Sequence, residues 1–496
     1  MVRGVLVPHG LRPLGLPVRL AGTRAFLGEN GLIVAVVAAW AAVLCVWLPH
    51  LFVSDTWLAL VDGRLIARHG VPHHDTLTYW TLGTHWVDQQ WGAQLVLYEL
   101  DRIGGLRLAA ALAVVAVGVT LALAAVAARR LGASARSTAL VALIVVPMAP
   151  WLAQLRTQLF ALPLFAIAFA LLAADARRPG RRVFLVLPLL VVWANLHGSV
   201  SLAAGLAALY GLTLLWKRAL RGLPLLLAPV ALLVSPYGFG LFGYYHLMLL
   251  HPPFARVVKE WQPMRVGGGT ALFFAGALAF VALWGRHRRT LTSFEQWALP
   301  VLLVGALIAV RNAVWFELAL AVSLPRLLDA AWRPAPATVG VRRINVALAA
   351  LGVLAAVAVL ATHFTRSPSW LDRAGSPAAA AAVAHAAGAH GVVLADDQHA
   401  DWLLWERPEL AGRVAYDVRF ELFDARQMNQ IVQLDDAHAA AWRRCGATMS
   451  VVTYGSTKQQ KLLLQERVLN PDARLVARSG TFGAYAQAPA AAPCRL

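Results

Sequence analysis

The chain has 496 residues, of which 59% are hydrophobic and only 14% charged, with a mean hydropathy of +0.62. A soluble globular protein carries about a quarter charged residues, so that class is excluded. The net charge of +19 invites a nucleic-acid partner, but the basic residues are dispersed among short segments and form no single basic face, which argues against one.

Residues 1–30 form a basic lead containing Pro and Gly. Repeated apolar runs then follow, as in a polytopic α-helical membrane protein. About eleven spans are expected, near 31–53, 106–128, 138–153, 158–174, 183–196, 199–216, 222–235, 270–284, 297–310, 313–328 and 344–363. The first is long and lacks a small-residue cleavage site, so it is expected to remain as a signal anchor. Loops on the N-terminal side hold 21 Lys/Arg against four acids, whereas the opposite loops hold nine against eight. The positive-inside rule therefore puts the N-terminus in the cytoplasm, with residues 54–105 and the C-terminal segment outside. The expected location is the plasma (inner) membrane. Cys45 falls inside the first span as a small packing residue. Cys445 and Cys494 lie in the exported segment, where pairing and two free thiols both stay open.

The stretch Ser54–Leu100 is the long polar interruption in the N-terminal two-thirds. It holds four aspartates (Asp55, Asp62, Asp75, Asp88) and four tryptophans (Trp57, Trp80, Trp86, Trp91). Residues 55–68 read as a helix along the membrane surface, with Asp55 and Asp62 on one face two turns apart. A partly desolvated carboxylate at that boundary suits a general base, and Asp55 suits equally a helix N-cap at the membrane exit. The tryptophans suit both sugar stacking and the interfacial aromatic belt. Pro72-His73-His74-Asp75 offers metal-ligand types, but its spacing matches no strong motif and an extended backbone points adjacent side chains apart, which favours a hydrogen-bonded turn.

Further along, Arg156, His197, Arg256, Lys259, Glu260 and Arg311 fall on the same side as that loop. Arginine matches a phosphate bidentately, and Arg311, placed between two apolar spans, suits a lipid phosphate or a snorkelling headgroup contact. His197 suits a phosphate or hydroxyl contact, or a satisfied interfacial histidine. Residues 366–496 return to ordinary soluble composition. Strands near 391–395, 413–416, 447–453, 474–477 and 484–487 alternate with helices near 400–405, 424–433, 436–443 and 457–468, and an Ala-rich helix at 377–389 precedes them. This is the pattern of a small extracytoplasmic α/β domain. The expected division is 1–30, 31–365 and 366–496.

The pattern Asp55-x-Trp57, Gly63-Arg64-x-Ile66, Val71-Pro72-x-x-Asp75, Trp86-Val87 and Trp91 resembles the first external loop of bacterial GT-C superfamily glycosyltransferases. Trp193–Gly198, Ser235-Pro236-Tyr237-Gly238, Glu260-Trp261 and Arg311-Asn312 resemble other recurring segments of this group, as do Asp401–Trp405 and Arg413-Val414-x-x-Asp417-x-Arg419 in the C-terminal segment. The resemblance implies a GT-C-like membrane domain and transfer of a sugar, with inversion, from a polyprenyl-phosphate carrier to a cell-envelope glycan or protein acceptor. It puts the catalytic carboxylate at Asp55. It further implies substrate contacts from Trp57, Asp62, Asp75, Trp86, Asp88, Trp91, His197, Glu260 and Trp261, and lipid-phosphate contacts from Arg256, Lys259 and Arg311. Two positions depart from the superfamily pattern: Thr56 replaces the second acid of an adjacent pair, and Gln89-Gln90 precede Trp91 where relatives carry an acid. No nucleic-acid partner is expected. The sequence leaves a divalent cation, Mg or Mn, open and implies no other cofactor. The rival readings are a lipid-linked substrate transporter and a non-catalytic assembly protein binding envelope glycan or protein through its C-terminal domain.

Overall fold

The computed structural model describes residues 17–250, 254–255, 258–335, 338–371, 374–435, 451–455, 473–480 and 482–486. Arg256, Cys445 and Cys494, and the helices expected at 436–443 and 457–468, lie outside the described residues.

The chain enters through α1 (Pro17–Trp47), turns through a short 3-10 helix, and forms α2 (Ser54–His69). The external loop leads into α3 (Trp91–Arg130), which Gly105 divides. Its φ of 66° is a left-handed conformation that only glycine adopts without strain, so 91–104 and 106–130 are separate helical pieces. Then come α4 (Ala135–Met148), α5 (Gln158–Arg177), α6 (Val186–Ala194), α7 (Val200–Trp216), α8 (Leu223–Leu226), α9 (Leu241–Leu250), α10 (Ala271–His287), α11 (Ser293–Ile308), α12 (Ala313–Trp332) and α13 (Val339–Thr365). The C-terminal segment adds α14 (Pro377–Ala387), β1 (Val393–Leu394), α15 (Asp397–Glu406), α16 (Ala425–Asp435), β2 (Val451–Tyr454), β3 (Arg474–Ser479) and β4 (Phe482–Ala486).

Each of the eleven apolar stretches carries helix. Among the described residues, length and composition qualify four helices to cross a bilayer: 22–50, 91–130, 158–177 and 339–365. A fifth arises if 220–233 and 238–250, bent by 97° at their junction, form one broken span. Most of the others are short, and α12, although 20 residues long, carries Glu317, Arg326 and Asp329. The 14 residues of α4 and nine of α6 fall below the ~20 that a hydrocarbon core of ~30 Å demands. α4 packs against α12, whose residues 313–327 are all buried. A helix covered on every side is the centre of a bundle; α3, α4, α5, α10 and α11 surround it. α13 is largely exposed and lies along α1.

The four strands form one sheet in the order β1-β2-β4-β3, parallel between β1 and β2 and antiparallel elsewhere. Val414 pairs with Val393 at its edge, and Thr78 of the external loop pairs with Val414. Tyr79 and Trp80 donate backbone N–H bonds to the carbonyls of Val414 and Ala415 at 2.7 and 3.1 Å. The loop thus pairs at the edge of the C-terminal sheet, and Trp80 stacks on Tyr416 at 5.2 Å. On the other side, α15 packs on α2. Arg64 donates to the carbonyls of Trp405 and Leu404 at 2.9 and 2.6 Å and lies over the Trp405 ring. The helix expected on the membrane surface is therefore sandwiched between α3 and α15. Gly63 permits this approach, because a Cβ there would sit 2.3 Å from the Gln94 carbonyl oxygen on α3.

Candidate active site

Between the membrane helices and the C-terminal segment lies a cavity of about 650 Å³. Asp55 enters it from the first turn of α2, where the positive end of the helix dipole favours a carboxylate. It is not the helix cap: the N-cap is Val53, and the Asp55 side chain turns to Arg156, whose Nη1 donates to its Oδ2 at 3.0 Å. The same Nη1 donates to Glu260 Oε1 at 2.9 Å, so one guanidinium holds two carboxylates. The side chains of Asp55 and Glu260 are 38% and 41% exposed, that of Arg156 only 11%, so the acids open on the cavity and the base braces them from behind.

This geometry is set by backbone register. The Leu155 N–H donates to the Leu51 carbonyl at 2.8 Å, and the Leu155 carbonyl accepts the Thr56 hydroxyl. Thr56, which stands where the superfamily carries a second acid, thereby fixes 154–157 against the start of α2. Opposite, Met264 N–H bonds to the Leu307 carbonyl and Val310 N–H to the Gln262 carbonyl, at 3.0 and 3.1 Å. That pairing brings Arg311 over the Trp261 ring, 4.1 Å from its centre. Among the described residues Arg311 makes no hydrogen bond or ion pair, and it lines the cavity.

Electrostatics divide the cavity. Burial weakens the hold of Arg156 on its proton, but Glu260 and Asp55 more than offset this and raise its pKa. Burial pulls Arg311 down, with Arg156 adding repulsion and Glu260 opposing. Burial, together with Arg311 and Arg156, pushes His197 down to about 3, so its imidazole is neutral near pH 7. The Ser199 N–H donates to His197 Nδ1 at 3.1 Å, which leaves the proton on Nε2. His197 therefore offers a neutral donor beside two cations. Lys259 adds an exposed ammonium to the same wall. The roof is supplied by the C-terminal segment through Asp397, Arg419, Phe420 and Glu421. Ser54 Oγ donates to Asp397 Oδ2 at 3.2 Å, and Trp86 Nε1 to Glu421 Oε1 at 3.4 Å. Burial pushes Asp397 up to about 6, with Asp396 adding to it.

Of the sequence-predicted residues, Asp55, Trp86, His197, Lys259, Glu260, Trp261 and Arg311 line this cavity together. Five others do not, which corrects the expectation of substrate contact for them. Two turns of helix carry Asp62 ~10 Å beyond Asp55. There it is fully buried and accepts from Gln94 at 3.2 Å. Asp75 is buried against Arg419 at 2.6 Å and accepts from Leu77 N–H, Thr78 and Thr81. Burial works against its ionisation, but Arg419 and the two threonines prevail and hold the carboxyl below its usual range. Asp88 is buried and accepts from the Gln90 N–H, Trp57 packs in the core against Phe52, and Trp91 donates to Asn195 at 3.0 Å. Asp62, Asp75 and Trp91 are engaged by residues remote in sequence, Gln94, Arg419 and Asn195, whereas Asp88 and Trp57 meet near neighbours in the chain.

The residues that sequence reasoning did not place are Gln89, Thr157, Tyr244, Asp397, Arg419 and Glu421, all on the cavity wall. Gln89 and Gln90 fill the position of the missing acid: Gln89 donates to the Ala194 carbonyl, and Gln90 accepts from Thr157. His73 and His74 converge on no ligand set, and among the described residues no three His, Cys, Asp or Glu side chains meet as a metal site requires.

No protein-family model matches the chain, and no curated protein matches it in sequence. Solved structures do. The crystal structure of ArnT from Cupriavidus metallidurans in the apo state aligns with a TM-score of 0.51 at 15% identity, over 87% of this chain and 93% of that one. ArnT from the same organism bound to undecaprenyl phosphate aligns at 0.52 and 16%, over 95% and 97%. The likeness extends through the membrane helices and the C-terminal segment. The chain shares the polytopic helical fold of these two structures.

Proposed function

We propose that this protein is a glycosyltransferase that moves a sugar from a polyprenyl-phosphate carrier to a hydroxyl of a cell-envelope acceptor on the extracytoplasmic face. The observation that carries the reading is the cavity itself: a half-exposed Asp55 carboxylate on one wall and the cations Lys259 and Arg311, with the His197 donor, on another. That a solved structure of the same fold is bound to undecaprenyl phosphate supports the carrier class.

The acceptor oxygen attacks the anomeric carbon while the bond from that carbon to the carrier phosphate oxygen breaks. The acceptor proton passes to Asp55, and polyprenyl phosphate leaves with the bonding pair. Arg156 orients the base. Arg311 and Lys259 compensate charge developing on the departing phosphate. Arg311 lies flat on Trp261, which fixes its donor plane without using any of its N–H groups.

The test is incubation of membranes containing the full chain with radiolabelled polyprenyl-phosphate sugars. Release of polyprenyl phosphate coupled to label in an acceptor is the expected result. Label that stays on the carrier across hexosyl and pentosyl donors, while the purified chain still binds envelope glycan, would instead make it a binding protein.

A further inference from the structure

A second cavity, of about 820 Å³, lies at the far end of the membrane helices. α5 begins at Gln158 on the wall of the first cavity and ends at Arg177 on the wall of the second. A helix of 20 residues spans ~30 Å, so the two cavities lie at opposite membrane faces. By the distribution of basic loop residues, the second opens to the cytoplasmic leaflet.

Its two halves differ sharply. The floor, between α3 and α5, is apolar and includes Val126, Ile167 and Leu171. The mouth carries Arg130, Arg178, Arg181 and Arg182, all exposed. Among the described residues none of these four guanidinium groups makes a hydrogen bond or ion pair. The one carboxylate at the rim, Asp175, is already satisfied: it accepts from Arg221, Tyr210 and the Gly180 N–H, each at 2.8 Å. Arg177, also at the rim, donates to the Leu131 carbonyl. Four unneutralised like charges at one mouth repel each other, so an anion binding there gains from all four at once. An apolar floor that continues into the hydrocarbon region is no place for a soluble anion, but it does accept an acyl chain.

We infer that this groove binds an anionic glycerophospholipid of the cytoplasmic leaflet, with its phosphate on Arg130, Arg178, Arg181 and Arg182 and one acyl chain between α3 and α5. The site is separate from the proposed carrier site and does not depend on the glycosyltransferase reading. A lipid seated there bridges the end of the second piece of α3 and the end of α5, whose first residue lines the candidate active site.

The test uses the purified full chain in phosphatidylcholine nanodiscs with a photoreactive phosphatidylglycerol, followed by mapping of labelled peptides. The expected result is labelling of 123–131 and 166–183, no labelling by the phosphatidylcholine analogue, and no displacement by millimolar inorganic phosphate. In R181Q/R182Q apparent affinity should fall roughly thirtyfold, about a factor of five for each surface arginine. R181K/R182K should retain labelling. Equal labelling by both lipids, displacement by inorganic phosphate, or preferential displacement by polyprenyl phosphate would each overturn the assignment, and none of these arms needs a variant to fold.

Discussion

Asp55 and Arg156 are 101 residues apart in sequence and 3.0 Å apart in space, and the guanidinium that holds Asp55 also holds Glu260. This arrangement gives the base a fixed direction while leaving its outer face open to the cavity. It also ties the external loop, the α4–α5 connection and the segment before α10 into one unit.

Arg311 is expected to act on the carrier. Arg311→Gln should weaken carrier-phosphate binding by about 10- to 100-fold, the range of a hydrogen bond to a charged group. The effect should fall mainly on the KM for the lipid donor. Donor-saturation kinetics check it; a normal KM with kcat alone reduced would place Arg311 away from the ground-state phosphate. Arg311→Lys should recover only part of the loss, because an ammonium cannot reproduce the planar stack on Trp261.

Arg419 joins the external loop to the C-terminal segment. It meets Asp75 and Asp417 at 2.6 Å with all three side chains buried, and it lies over Trp86. Removing one partner from a buried ion-pair network costs about 3–5 kcal/mol. Arg419→Gln should lower the unfolding midpoint and speed proteolytic release of the C-terminal segment. An unchanged midpoint would show that the contact contributes little.

Asp88 predicts a pH dependence. Burial pushes it up to about 7, with Glu421 adding and the Gln90 N–H opposing. An unfolded aspartate titrates near ~3.9. The folded chain therefore keeps a proton that the unfolded chain releases, and the stabilisation this gives is lost as pH rises from ~4 towards the folded value. Asp88→Asn removes the term. Its unfolding midpoint relative to the native chain should rise progressively over that window and level off above it. A difference that does not vary with pH would contradict the assignment.

Gly63 sets the distance between α2 and α3. In Gly63→Ala the new methyl would meet the Gln94 carbonyl oxygen at 2.3 Å and Tyr98 Cβ at 2.6 Å. Overpacking of this kind costs about 1–3 kcal/mol. The shift of α2 should also lower transfer, since Asp55 lies two turns away on the same helix. Thermal unfolding and the transfer assay together check it.

Local signals in the sequence lead to part of the cavity lining. The clustering of Asp55 with tryptophans in a polar break, and the cost of placing Arg311 between apolar spans, both pointed to the cavity. The second helical piece of α3 begins directly after Gly105, where the apolar run was read to start at 106. What could not be read locally was which carboxylates would be covered. Asp75 and Arg419 are 344 residues apart, and nothing near Asp75 announces a guanidinium. Asp62 shares the helical face of Asp55, but periodicity gives direction around the axis and not where along it the cavity ends. The span count was ambiguous for a related reason: a short apolar helix has the same composition whether it crosses the bilayer or packs around α12.

The central claim is that Asp55 takes the acceptor proton. Asp55→Asn keeps shape and removes basicity, so sugar transfer by the purified chain with saturating donor should fall about 10²- to 10⁴-fold while carrier binding stays near its native value. Transfer by Asp55→Asn at the native rate, with the protein folded and binding carrier, would contradict the account.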